Sequence, residues 1–311
     1  MKFNKCVFIC ISFFVCSAFM QNLLAEPSGR KVHDDKKILQ LSEKGSWLPA
    51  VKDVTKNVRL LECFYDEANL KHCEEINASS SWEVQTEQTM ANGGSLYTFS
   101  FTARHDMQGA GVAVAFDRYG WTSDNYVMIP SSVYNGNRQR IVNRSYATGL
   151  DKTDYKRKDL ALTSNPIPQL SPEFGAPSRL EVNVSNAATP AMTMLEREKK
   201  SGTILLTDQG IEWNKQLLDH ALIVEETPDR SIASFVISAP GVRERKPEFL
   251  GFSKSPDRGI QVKKGDKIVI RVTEITFYCE DVPELLAHFM KDRKLHTAGE
   301  APRNLMPMSE V

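Results

Sequence analysis

Two carboxylates bracket an aromatic side chain in "FDRYGWTSDNY": Asp117 and Asp124, with Trp121 between them. Glycosidases cleave a sugar linkage with a pair of Asp or Glu groups a few ångströms apart, and an aromatic beside such a pair suits a sugar subsite. The competing reading puts both acids into Asx-type hydrogen bonds at strand ends. Asp208 and Glu212, in "TDQGIEW", admit the same two readings. The stretch "WTSDNYVMIPSSVYNGNR" concentrates groups that recognise hydroxyls: Trp121, Asp124, Asn125, Tyr126, Tyr134, Asn135, Asn137 and Arg138. Aromatic faces stack on the C–H faces of pyranose rings, and amides, carboxylates and a guanidinium add directional hydrogen bonds. An apolar platform with a few placed polar groups is the usual make-up of a binding pocket. The pair Asn135–Gly136 is equally a hairpin signal, because both residue types tolerate positive φ.

Other chemistries lack their motifs. There is no GxSxG serine elbow and no phosphate loop; "MQGAGVAVAF" holds only GxG and opens a strand. His220 falls in an alternating segment and reads as structural, whereas His105 follows a strand end. Neither CxxC nor HExxH occurs, so no metal site and no cofactor are expected. The 39 basic residues balance the 39 acidic ones, which gives no field for nucleic acid. The runs "DYKRKD" (154–159) and "LEREKK" (195–200) mix signs and read as solvated turns. Three of the six cysteines lie in the first sixteen residues. Of the rest, Cys63 and Cys73 could close a small disulfide loop, or could stay as thiols together with Cys279.

The elements that must position these groups are mostly strands. "MKFNK", the apolar "CVFICISFFVCSAFM" and the polar "QNLLAEPSG" predict a signal peptide over 1–25, too short to span a bilayer. The expectation is a secreted or periplasmic protein with no membrane partner after cleavage. Residues 26–56 read as a polar arm or linker, 57–296 as a β-sandwich domain and 297–311 as a tail. In "LYTFSFTA" (96–103) Tyr97, Phe99 and Phe101 alternate with small polar residues, the period of a half-buried strand. Further strands are expected at 111–117, 125–129, 179–184, 202–208, 220–226, 231–238 and 266–278, separated by Gly, Pro, Asn and Asp turns. Many strands on short turns predict an all-β fold, a large antiparallel β-sandwich. The proline-rich 144–178 reads as a surface excursion. One C-terminal helix is expected in "DVPELLAHFMKDRK", with Asp281 as N-cap, Pro283 in the first turn and Leu285, Leu286, Phe289 and Met290 as its apolar stripe.

The segments "GVAVAFDRYGWTSDNYVMIPSSVYNGNR", "PSRLEVNVSNAATPAMTML" and "KSGTILLTDQG" resemble the N-terminal β-supersandwich region of secreted, Bacteroidetes-type six-hairpin glycosidase-like proteins. The resemblance runs from about residue 56 to about 308 and is strongest over 111–138. In that family an (α/α)6 toroid follows the sandwich and carries the carbohydrate chemistry. The resemblance covers no part of the toroid, so no toroid acid transfers to this sequence. The resemblance implies an accessory carbohydrate-associated module of a glycoside hydrolase-like protein, truncated and non-catalytic alone. Its implied partners are a glycan and a helical domain on a missing segment or separate chain. The alternatives are a glycosidase or polysaccharide lyase using local acids, or a structural protein-binding module.

Overall fold

The computed structural model describes residues 45–50, 55, 57–91, 93–139, 141–143, 161–163, 167–248 and 251–296. The signal segment, most of the arm, most of the 144–178 excursion with "DYKRKD", and the tail lie outside the described residues. The strands, in chain order, open with β1 (Val58–Asp66), β2 (Asn69–Glu75), β3 (Trp82–Ala91), β4 (Gly94–Ala103) and β5 (Met107–Tyr119). Then come β6 (Tyr126–Ile129), β7 (Val133–Tyr134), β8 (Ile141–Asn143), β9 (Ala161–Thr163) and β10 (Ser178–Asn183). Next are β11 (Ala191–Glu196), β12 (Ser201–Thr207), β13 (Ile211–Trp213), β14 (Gln216–Leu218) and β15 (Ala221–Glu226). The last are β16 (Ile232–Ala239), β17 (Arg245–Glu248), β18 (Gly251–Lys254), β19 (Ile260–Val262) and β20 (Lys267–Tyr278), followed by helix α1 (Val282–His296).

Two antiparallel sheets face each other, so the expected all-β sandwich with one C-terminal helix is what forms. The first runs β10-β15-β16-β5-β1-β2, with β19 beside β5. The second runs β14-β13-β20-β12-β11-β6-β7, with β4 on the other side of β20 and β3 outside β4. Alternation decides what lies between them. Val112, Val114 and Phe116 of β5, Leu222 and Val224 of β15, and Phe235 and Ile237 of β16 meet Phe99, Phe101, Met192, Met194, Leu205, Ile268, Ile270 and Val272 from the second sheet. Burying each such side chain is worth roughly 1.5–3 kcal/mol.

Each sheet also buries part of its outer face. Trp47, Leu61, Cys63, Tyr65, Ala113, Ala115, Ile223 and Val236 pack outside the first sheet. Outside the second, Leu285 and Phe289 of α1 seat on Tyr126, Leu195, Ile204, Leu206 and Ile275. The helix starts as expected: the Asp281 carboxylate accepts the Glu284 N–H at 2.9 Å. Only half of the expected stripe is covered, since Leu286 and Met290 remain 37% and 47% exposed. They sit one residue beyond the two that face the sheet.

The Asn-Gly expectation needs a correction. The β6–β7 hairpin turns at Pro130–Ser132, and Asn135–Asn137 forms a single 3-10 turn after β7. Asn135, Gly136 and Asn137 all take positive φ, 52°, 64° and 51°. That run follows β7 and does not join two strands that pair with each other.

Candidate functional site

The predicted recognition residues divide into three groups. Trp121 is buried (2% exposed), its ring edge-on to Phe235 with centroids 5.4 Å apart. Its indole N–H donates to Glu226 at 2.7 Å. Arg138 forks onto the same carboxylate, with Nη1 2.7 Å from Oε2 and Nη2 on Oε1. Ser178 donates to Glu226 at 2.8 Å, and Arg230 Nε lies 3.5 Å away. Arg230 in turn donates to the carbonyls of Ala176, Thr227 and Glu173. Every polar group on Trp121 and nearly all of Arg138 is therefore committed to a buried ion cluster. The expected stacking face of Trp121 is spent in packing.

The second group fastens loops. Asn125 is buried and accepts the Arg197 N–H at 3.0 Å, and the Asp124 carbonyl accepts from Arg197 Nε at 2.7 Å. Asn137 accepts the Tyr134 N–H at 3.0 Å and donates to the Ser132 and Pro168 carbonyls at 2.9 and 2.8 Å. Tyr126 lies under α1, where burial pushes its phenol up and the Asn135 backbone partly opposes the shift. The third group is exposed: Tyr134, Asn135 and the Asp124 side chain. Tyr134 accepts the Ser131 N–H at 3.1 Å through its hydroxyl.

The two carboxylates of the expected pair also differ in their surroundings. Asp117 is held by Arg59 at 2.5 and 2.9 Å and by Ser234 at 2.6 Å. Arg59 also donates to the Trp47 carbonyl, which ties the outer segment to the sheet. Asp124 belongs to the exposed group, so the two acids have different environments. Asp208 and Glu212 both reach Arg271, at 3.3 and 3.5 Å. His220 is fully buried, and among the described residues neither ring nitrogen meets a partner. Burial pushes its imidazole down to about 4, with Asp219 acting the other way.

A site that the motifs did not reveal lies at one end of the sandwich. The positions facing the opposite sheet run apolar and then turn polar on four strands. On β20 the order is Ile268, Ile270, Val272, Glu274, Thr276. On β5 it is Val112, Val114, Phe116, Arg118; on β11, Met192, Met194, Glu196; on β12, read backwards, Leu205, Thr203, Ser201. Register brings the switches together, because Glu196 opposes Ser201, Met194 opposes Thr203, and Thr203 opposes Thr276. The result is a cleft of ≈ 370 Å³ lined by these polar residues with Asn57, Asp117, Tyr119 and Lys199.

Two contacts bridge the cleft. Arg118 donates to Glu274 at 2.8 Å across the sheets, with side chains 11% and 20% exposed. Lys199, from the β11–β12 turn, donates to the Tyr119 carbonyl at 3.1 Å and to Glu196. The "LEREKK" turn is thus solvated only in part, since Glu196 is 6% exposed. Thr203 and Thr276 pair their hydroxyls at 3.3 Å. Among the described residues no group of His, Cys, Asp and Glu side chains is arranged to hold a metal ion.

No family model matches this chain, and no curated protein matches it. Among solved structures, a protein of Escherichia coli K12 described as a candidate aldose 1-epimerase aligns over 73% of this chain and 67% of its own. Identity is 7% and the TM-score is 0.34, too distant to transfer a residue, an activity or a ligand. No described helix is long and apolar enough to cross a membrane.

Proposed function

We propose that this chain is a carbohydrate-binding β-sandwich module that seats a neutral sugar in the cleft at the end of the sandwich. The carrying observation is the shared switch from apolar to polar at the inward-facing positions of β5, β11, β12 and β20. The volume, ≈ 370 Å³, falls in the range of small-molecule pockets. The lining mixes hydroxyls, carboxylates and cations, which suits a ligand that both donates and accepts. A lipid tail finds no apolar wall there. Phosphate finds no spare cation, because Arg118 and Lys199 already meet Glu274 and Glu196.

In this reading the module is secreted and acts beside a glycoside hydrolase-like catalytic unit, without catalysis of its own. The N-terminal signal pattern and the resemblance of 111–138 support that context. A helical partner domain would be sought at the exposed Leu286 and Met290 on α1. Local hydrolysis is the second reading, carried by Glu196 and Glu274 in the cleft; Asp117 also lines it but its carboxylate is held by Arg59 and Ser234, and Asp124 is not among the lining residues.

The test is calorimetric titration with a panel of neutral mono- and disaccharides, followed by an assay for reducing ends. Saturable heat that disappears in Thr203→Val and Arg118→Met, with no released sugar, is the expected result. Release that disappears in Glu196→Gln and Glu274→Gln would establish the second reading. Absence of binding to the whole panel would remove the first.

A further inference from the structure

Cys63 and Cys73 are in register on adjacent antiparallel strands, with their sulfurs 3.3 Å apart. Directly opposed residues of such a pair have Cα atoms about 4.5–5.5 Å apart, within the range of about 4.4–6.8 Å that a disulfide bridges. Both are free thiols here. Their environments differ. Cys63 is fully buried among Leu61, Tyr65 and Ala113, and burial pushes its thiol well up. Cys73 is half-buried on β2, the edge strand of the first sheet. Among the described residues Cys279 is a free cysteine with no sulfur partner; its thiol donates to the Asp281 carbonyl at 3.2 Å.

We infer that Cys63 and Cys73 are a thiol pair set to close into a cross-strand disulfide by exchange with an external disulfide, pinning edge strand β2 onto β1. The accessible Cys73 is the entry point. Its thiolate attacks one sulfur of the external disulfide, forms a mixed disulfide and expels the first external thiol. The Cys63 thiolate then attacks the Cys73 sulfur, forms the internal bond and expels the second external thiol. Two protein thiols are oxidised and one external disulfide is reduced to two thiols, which take up the two protons. Little backbone movement is required, because the strand register already places the sulfurs in contact. The loop closed is ten residues, so a modest stabilisation is expected, roughly 5 °C in melting midpoint.

A lysine between the two cysteines makes the test direct. Trypsin cuts after Arg59, Lys71 and Arg104, which places Cys63 in peptide 60–71 and Cys73 in peptide 72–104. The folded full chain is incubated with oxidised glutathione, alkylated, and digested without reductant. The expected result is peptide 60–71 joined to 72–104, separated by reductant, while the Cys279 peptide 272–291 is recovered with its thiol unoxidised. Cys63→Ala should instead trap a glutathione adduct on Cys73, and Cys73→Ser should give no joined peptide. Since Cys63 is buried, the fold of its variant is checked by near-ultraviolet dichroism; the wild-type digest decides the matter if that variant fails to fold. Unjoined peptides 60–71 and 72–104 from oxidised, folded wild type, or Cys279 joined to either cysteine, would overturn the inference.

Discussion

One end of the sandwich is finished in two ways. Ser178, Glu226, Ala233 and Arg118 form one row across the first sheet, all directed at the second. At the Glu226 side the gap is plugged by Trp121 and Arg138, and the carboxylate is saturated by five donors or ion partners. At the Arg118 side the gap stays open as a cleft, and its charges are matched in pairs that a hydroxylated ligand could share. The same row therefore serves stability at one side and, under the proposed function, recognition at the other. The difference lies in whether a loop donates an aromatic to close the gap. It also teaches that a Trp beside acids is no guide to a sugar subsite until its indole N–H is accounted for.

Four experiments test whether the two sides differ in this way. Trp121→Ala removes the plug and should cost about 4 kcal/mol in urea unfolding, far more than a specific loss of binding would require. Arg138→Met leaves Glu226 with fewer partners in a buried place and should cost ~3 kcal/mol, with little change in sugar affinity per folded molecule. His220 supplies a pH control away from the charge cluster. Its folded-state value of about 4 lies below the ordinary 6.5, so its stabilising effect is complete above pH 6.5. As pH falls from 6.5 to 4 the unfolded chain takes up the proton first, and about 3 kcal/mol of stability is lost over that window. His220→Leu should flatten that slope in denaturant titrations at successive pH values. A slope unchanged by the substitution would assign the acid sensitivity to other groups. Thr203→Val, in the open half, should cost only ~1 kcal/mol yet remove binding. Equal stability losses in both halves would erase the distinction between them.

The architecture was legible because alternation is a local signal. Tyr97, Phe99 and Phe101 announced β4, and Asp281 announced the helix start. Strand β5 was legible as a strand but not as a face, since Ala110–Phe116 is buried on both sides and its pattern reads as one apolar run. The cleft was hidden for a related reason. "KIVIRVTEITFY" contains the switch at Glu274 and Thr276, but Ile275 and Phe277 on the opposite face pack under α1. One strand alone cannot say which face looks inward. Register was also needed to bring Glu196, Ser201 and Thr203 to the same place. Trp121 misled because its partner, Glu226, is 105 residues away in sequence. Asn137 misled because an amide that recognises a hydroxyl and one that braces a turn look alike until the carbonyls of Ser132 and Pro168 are located.

The most direct measurement is an amide and methyl chemical-shift titration of the folded chain with the saccharide that gives the strongest heat. A sugar seated in the cleft gives saturable shifts at Arg118, Glu196, Ser201, Thr203 and Thr276, with Trp121, Arg138 and Glu226 unmoved. Shifts confined to Tyr134 and Asn135 on the exposed rim, or none at saturating sugar, would contradict it.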